Sequence, residues 1–207
     1  MTEKMTLHWS PRSPYVRKVL IVAHEVGMAG QLAPVRTLVG GTTPHLELMV
    51  ENPLGKIPTL ITLDCGILYD STVICEYLDG RAQGGLFPSD FGPRMRALRW
   101  QALGSGMLDI SLLRLGERLK PEAIKSPAHE ALWRAKIDTC IPALEAEADA
   151  LAAAPFNIGH IAIGVALAYL NFRFSDEAWA GGHPKLAAWH AAFNARPSVV
   201  ATHFAEG

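Results

Sequence analysis

Six consecutive residues, Ser10-Pro11-Arg12-Ser13-Pro14-Tyr15, carry the most specific chemistry in the chain. Two hydroxyls and a guanidinium stand in a turn that leads directly into a helix. Serine is a favoured N-cap, and proline suits the first helical position because its missing N–H would have no intrahelical partner there. The spacing predicts that Ser13 and several free backbone N–H groups are aimed at one point, and such a point stabilises an anion. A plainer role is open to the same residue: as a cap alone, Ser13 contributes about 1 kcal/mol to its helix. Ser10, at the strand end before Pro11, is a second candidate hydroxyl, and Arg12 is a source of charge.

Two further groups have the right chemistry. In Gly55-Lys56-Ile57-Pro58-Thr59-Leu60, the bond before Pro58 is of the one type in which the cis form costs only about 0.5–1 kcal/mol. Asp70-Ser71 pairs a carboxylate with a hydroxyl at a helix start, a common capping pair. The eight histidines contain no His-x-x-x-His pair, and helical metal sites need two ligands one turn apart, so no metal is expected.

These groups need a scaffold. Thr6–Trp9 reads as a strand, and Pro14 to Gly27 as a helix. In that helix Val16, Val19, Leu20 and Ala23 fall at helical spacing, and the remaining apolar residues imply burial on more than one side. Leu32–Leu38 reads as a strand whose Pro34 implies an edge position. A short helix near 44–50 follows. Then come a strand opened by Pro58, a hairpin turn at Asp64-Cys65-Gly66, a returning strand at 67–69, and a helix begun by Asp70-Ser71. The order β-α-β-α-β-β-α fits a thioredoxin-like α/β domain over residues 5–82. Residues 83–92 read as a linker. Beyond it strand signals vanish, and helices are expected near 93–119, 128–153, 159–172 and 184–194, making 93–207 an all-helical domain. In the first of these, Trp100, Leu103, Met107, Ile110 and Leu113 form a stripe for the core or for a partner. Gly104 and Gly106, each costing about 1 kcal/mol of helix propensity, imply close approach of a ligand or a second subunit.

With 207 residues, 49% apolar and 19% charged, the chain can build an ordinary core. A net charge of −1 with dispersed Lys and Arg excludes a nucleic-acid footprint. Met1 to Met5 lacks the apolar stretch of a secretory signal, and the most apolar segment, Ile161 to Leu170, is too short for a bilayer. Cys65, Cys75 and Cys140 form neither a Cys-x-x-Cys pair nor a metal-ligand pattern, so reduced thiols and a cytoplasmic setting are expected.

Ser13-Pro14-Tyr15-Val16 occupies the place of a Cys-Pro-Tyr-Cys redox turn with both cysteines replaced. Together with Gly55-Lys56-Ile57-Pro58-Thr59-Leu60, Asp70-Ser71, the helix-rich second half and the ending His183-Pro184-Lys185-Leu186 … Arg196-Pro197-Ser198-Val199, it resembles the cytosolic glutathione transferases. The resemblance covers nearly the whole chain and is nearest to bacterial members that place a serine at the turn. It implies a homodimeric detoxification enzyme with glutathione as co-substrate and a small hydrophobic electrophile as partner. By this resemblance Ser13, or alternatively Ser10, donates to the glutathione sulfur. Ile57, before a cis Pro58, offers its N–H and C=O to the cysteinyl backbone. Asp70 and Ser71 hold the γ-glutamyl end, although family members often carry Glu where Asp70 stands. Lys56 or His45 reaches the glycyl carboxylate, and Met107, Leu108, Ser111 and Arg114 line the electrophile side. At Asn157-Ile158-Gly159-His160 family members show Ser or Thr and then Asp as a capping box. Here Asn157 can still cap, and His160 can accept a hydrogen bond only while neutral. Two other readings stay open: a binding or regulatory protein that keeps the fold without catalysis, and a glutathione-dependent isomerase or reductase.

Overall fold

The computed structural model describes residues 4–206. Residues 1–3, part of the start read above as lacking a secretory signal, and residue 207 lie outside them. The chain divides into two compact units, one ending at Ser89 and rejoined by the segment from Pro197, the other spanning Asp90–Arg196.

The first unit is built on a four-stranded sheet of β1 (Met5–Trp9), β2 (Leu32–Arg36), β3 (Thr59–Ile61) and β4 (Ile67–Leu68), in the order β2-β1-β3-β4. β2 runs parallel to β1, with Leu7 opposite Pro34, and lies at the edge where a strand proline is tolerated. β3 is antiparallel to both β1 and β4. Helix α1 (Pro14–Glu25) has Ser13 as its N-cap and ends where Gly27 takes a φ of 73°, a value open to glycine at no steric cost. Val16, Val19, Ile21, Val22 and Ala23 are all buried, so α1 is covered on more than one side. α2 (Leu46–Glu51) and α3 (Ser71–Ala82) complete the βαβαββα order.

The boundaries differ from the sequence expectation at both ends. Residues 83–89 belong to the first unit, because the buried Asp79 carboxylate accepts the N–H groups of Leu86 (2.8 Å) and Phe87 (3.0 Å) and ties that segment down. The segment from Pro197, expected in the helical domain, also returns to the first unit, where α8 (Pro197–Val200) packs on α1.

The second unit contains α4 (Phe91–Arg118), α5 (Pro127–Ala153), α6 (Ile158–Arg173) and α7 (Pro184–Asn194), close to the expected ranges. α6 is its axis: every residue from Ile158 to Leu170 is buried. The α4 face that meets α6 is not the stripe read from the sequence. Trp100 and Met107 are buried in it, but Leu113 is exposed, and the face runs through Ala97, Gln101, Gly104, Leu108, Ser111 and Arg114. Gly104 explains the shift. A Cβ there would fall 2.4 Å from the Ala162 carbonyl carbon, so the glycine serves the approach of α6 in the same chain rather than a ligand or a second subunit. A Cβ on Gly106 would meet nothing within 4 Å among the described residues.

Candidate functional site

Strand register decides which candidates meet. His8 lies opposite Thr59, and Leu60 opposite Leu68, in antiparallel pairs. The carboxyl end of β1, the amino end of β3 and the carboxyl end of β4 therefore share one edge of the sheet. The three segments that emerge there are Ser10–Ser13, Ile57–Pro58 and Asp70–Ser71. Packing supports the convergence: Val16 from α1, Leu48 from α2 and Ile57 form one buried cluster, with Trp9 and Leu20 against it.

At the first turn, Ser13 is half-buried and its Oγ accepts the Val16 N–H at 3.3 Å. The Arg17 N–H goes to the Ser13 carbonyl (3.0 Å) and the Ser13 N–H to the Ser10 carbonyl (3.2 Å). The expected array of several free N–H groups is therefore reduced: Pro14 has none, and the cap itself consumes that of Val16. The Ser13 hydroxyl proton is a different matter. An oxygen that accepts an N–H still has its O–H to donate, and donation is strengthened by acceptance. Ser10 is buried, with its Oγ turned to the Arg12 N–H at 3.4 Å, while Arg12 is exposed.

The bond between Ile57 and Pro58 is cis, as the resemblance implies; that between Tyr69 and Asp70 is also cis. Among the described residues, the N–H and C=O of Ile57 enter none of the turn, loop or ladder hydrogen bonds. Two residues passed over in the sequence hold this segment. Asn52, almost wholly buried, donates from Nδ2 to the Lys56 carbonyl (3.0 Å) and to Thr59 Oγ1 (2.9 Å) and accepts the Leu54 N–H (3.0 Å). Thr59 Oγ1 donates to the same Lys56 carbonyl at 2.8 Å. The available signal was a polar pair, Asn52 and Thr59, flanking the Pro-Gly turn inside apolar sequence. His8 is a third such residue, meeting Thr37 Oγ1 at 2.8 Å and Glu51 at 2.7 Å and so anchoring α2 to the sheet.

Asp70 is the N-cap of α3, one oxygen accepting the Thr72 N–H at 2.7 Å; it is exposed, whereas Ser71 is buried. His45 caps α2, its Nδ1 accepting the Leu48 N–H at 3.2 Å, which leaves Nε2 as the N–H-bearing nitrogen. Lys56 is exposed beside Ile57. Burial pushes the Cys75 thiol in α3 up to about 12, so it stays protonated and unreactive.

The four α4 candidates lie inside the helical unit. Met107, Leu108, Ser111 and Arg114 are all buried, and Ser111 Oγ donates to the Met107 carbonyl at 2.7 Å. The Arg114 guanidinium is held between Glu130 (2.6 Å) and Glu177 (2.6 Å), which joins α4 to α5 and to the short helix at Ser175–Glu177. At the start of α6, the Asn157 N–H donates to His160 Nδ1 (3.2 Å), and Asn157 Oδ1 accepts the Gly159 N–H (2.9 Å), completing a reciprocal cap. Among the described residues no group of three or more His, Cys, Asp or Glu could hold a metal ion, and no helix is long and apolar enough to cross a membrane.

Comparison with known proteins bears on both units. Residues 12–81 match the family model for the glutathione S-transferase N-terminal domain, and residues 126–192 that for the C-terminal domain. The chain is 30% identical to the uncharacterised GST-like protein YibF of Escherichia coli K12, covering 88% of this chain and 90% of that protein. It is similar to a glutathione transferase family member from Pseudomonas fluorescens Pf-5 with bound glutathione (38% identity, TM-score 0.93, 98% of this chain and 100% of that one). A glutathione S-transferase from Methylobacillus flagellatus KT, also with glutathione bound, is 32% identical with a TM-score of 0.90, over 98% and 100% of the two chains.

Proposed function

The chain belongs to the glutathione S-transferase family, and from that premise we propose that it binds glutathione at the strand-end site of the first unit, holds the sulfur as a thiolate and delivers it to a small apolar electrophile. The observation that carries this reading is the convergence of Ser13, the Ile57–Pro58 segment and Asp70–Ser71 at one sheet edge, fixed by the pairings His8–Thr59 and Leu60–Leu68. The Ile57 main chain extends the sheet edge to the cysteinyl backbone of glutathione, as an added strand would. Asp70 takes the γ-glutamyl ammonium and the α3 start its carboxylate, with Ser71 beside them. Lys56 and the Nε2–H of His45 serve the glycyl carboxylate.

Magnitudes favour Ser13 as the sulfur's donor. A free thiol with a pKa of about 8.5 is only a few per cent thiolate at neutral pH. Lowering it by about two units requires about 2.7 kcal/mol of preference for the anion. One hydrogen bond to a charged acceptor supplies about 1.5–3 kcal/mol, so the single Ser13 O–H suffices without several main-chain donors. The thiol proton passes to water, the sulfur lone pair forms the new S–C bond, and the electrophile's leaving group departs with its electron pair. In this reading the protein is a bacterial serine-type transferase, cytoplasmic and homodimeric, acting in detoxification.

One observation favours a second reading. Ser13 Oγ accepts the Val16 N–H, so Ser13 is fully accounted for as a cap, and the protein would then bind glutathione without activating it. Glutathione at 100 times its Kd stabilises the folded chain by about 2.7 kcal/mol, which for a chain of this size raises Tm by about 5–10 °C. A Tm rise with turnover of a chloro-dinitrobenzene probe supports the transferase. A Tm rise without turnover supports the binding protein, and no Tm change refutes both.

A further inference from the structure

Behind the Ser10–Ser13 turn lies a segment remote from it in sequence. α8 packs on α1, and the residues after it run back to the turn. Arg17 is the junction. Its N–H holds the Ser13 carbonyl, its Nη2 donates to the Val199 carbonyl (3.3 Å), and its guanidinium lies 4.4 Å from the centre of the Phe204 ring. Beyond that ring the Ala205 N–H donates to the Pro11 carbonyl at 3.3 Å, inside the turn itself. At the other end of α1, Ser198 Oγ donates to Glu25.

Arg17 is costly where it stands. It is 4% exposed, its Nε has no hydrogen-bond partner among the described residues, and burial brings its pKa down to about 10. An apolar side chain of similar volume would pack there at less cost. What the guanidinium offers instead is a planar face for the Phe204 ring and a donor fork for Val199, a geometry no aliphatic or lysine side chain reproduces.

We infer that residues 197–206 form a positioning element for the first turn of α1: Phe204 on Arg17 and Ala205 on Pro11 hold the turn from behind, so that the Ser13 hydroxyl keeps its heading towards the sulfur. The inference rests on the transferase reading above. A donor displaced by about 1 Å loses much of its effect on a reacting atom, so a clamp outside the site acts on turnover without touching glutathione.

The test uses the full chain with Phe204→Ala, Phe204→Tyr and a deletion of residues 204–207. Amide hydrogen exchange across residues 10–17 reports the turn, and ultraviolet titration of bound glutathione reports the thiol. In Phe204→Ala and in the deletion, exchange at the turn rises about tenfold. The bound thiol's pKa rises by about half to one unit, and kcat falls about three- to tenfold. KM for glutathione stays within about twofold, because the Ile57 and α3 contacts are untouched, and Phe204→Tyr behaves as wild type. Unchanged turn exchange and thiol pKa in Phe204→Ala overturn the inference, and this half-buried position carries the test if the deletion fails to fold. If the wild type leaves the thiol at its free value, the transferase reading falls, and turn exchange alone still decides whether the tail holds the turn.

Discussion

Ser13 has two roles that a single substitution would confuse, and a pair of variants separates them. Ser13→Ala removes the Oγ that accepts the Val16 N–H at 3.3 Å and also removes the O–H proposed for the sulfur. Losing the cap costs about 1 kcal/mol, or about 2–4 °C in Tm for a chain of this length. Losing a hydrogen bond to an anion costs about 1.5–3 kcal/mol, which raises the bound thiol's pKa by about one to two units and cuts thiolate about ten- to a hundredfold below that pKa. Ser13→Asp restores the cap, because aspartate caps as well as serine, but at neutral pH it offers no proton and sets a like charge beside the sulfur. The expected outcome is a near wild-type Tm with a thiol pKa at or above that of free glutathione. Ser10→Ala is the third arm. With Ser13 as the sulfur's donor, the thiol pKa should move by less than about half a unit in Ser10→Ala. Thermal unfolding, ultraviolet titration of the complex and pH profiles of kcat/KM measure all three. A Ser13→Asp protein that keeps a depressed thiol pKa, or a Ser10→Ala effect larger than that of Ser13→Ala, would refute the assignment.

Gly104→Ala drives a methyl into the α6 backbone and should cost about 1–3 kcal/mol or more in urea unfolding, whereas Gly106→Ala, with open space around it, should gain up to about 1 kcal/mol; equal effects would show that α4 and α6 do not approach as described. Burial holds the His160 imidazole below its ordinary pKa, so its contribution to stability is present above about pH 6.5 and is lost as pH falls below that, by at most about 1.4 kcal/mol per pH unit. His160→Asp keeps an acceptor for the Asn157 N–H and should flatten this dependence; identical pH profiles of unfolding between pH 5 and 8 would count against the mechanism. Asn52→Ala removes the Nδ2 donor to the Lys56 carbonyl and to Thr59 Oγ1 and the acceptor of the Leu54 N–H, leaving Thr59 alone on that carbonyl, with an expected loss of about 1–3 kcal/mol and a raised KM for glutathione; an unchanged KM would dissociate Asn52 from the site. Arg114→Met removes a fully buried guanidinium from Glu130 and Glu177 while Arg118 and Arg134 still pair with Glu177, so denaturant unfolding should show a loss of about 1–3 kcal/mol; a loss below about 0.5 kcal/mol would remove the network from the account of the helical unit.

Much of the fold is legible locally. Ser13-Pro14, Asp70-Ser71 and the Asn157–His160 box announce helix starts because a cap depends on the dihedrals and hydrogen bonds of a few adjacent residues, and all three stand where those signals put them. Pro34 likewise marks an edge strand because it lacks an N–H to pair. Other features come from residues far apart in the chain, and local chemistry is silent about them. The meeting of Ser13, Ile57 and Asp70 depends on the register of three strands. Gly104 looks like a ligand's neighbour until α6 is laid against it. Arg114 reads as a pocket residue until Glu130 and Glu177, from two other elements, close around it. Short-range signals are thus enough for the order of elements, the family resemblance and the chemistry on offer at the first turn. Long-range packing settles which face of α4 is core and that the segment from Pro197 returns to α1, since each depends on where separate elements come to rest against one another.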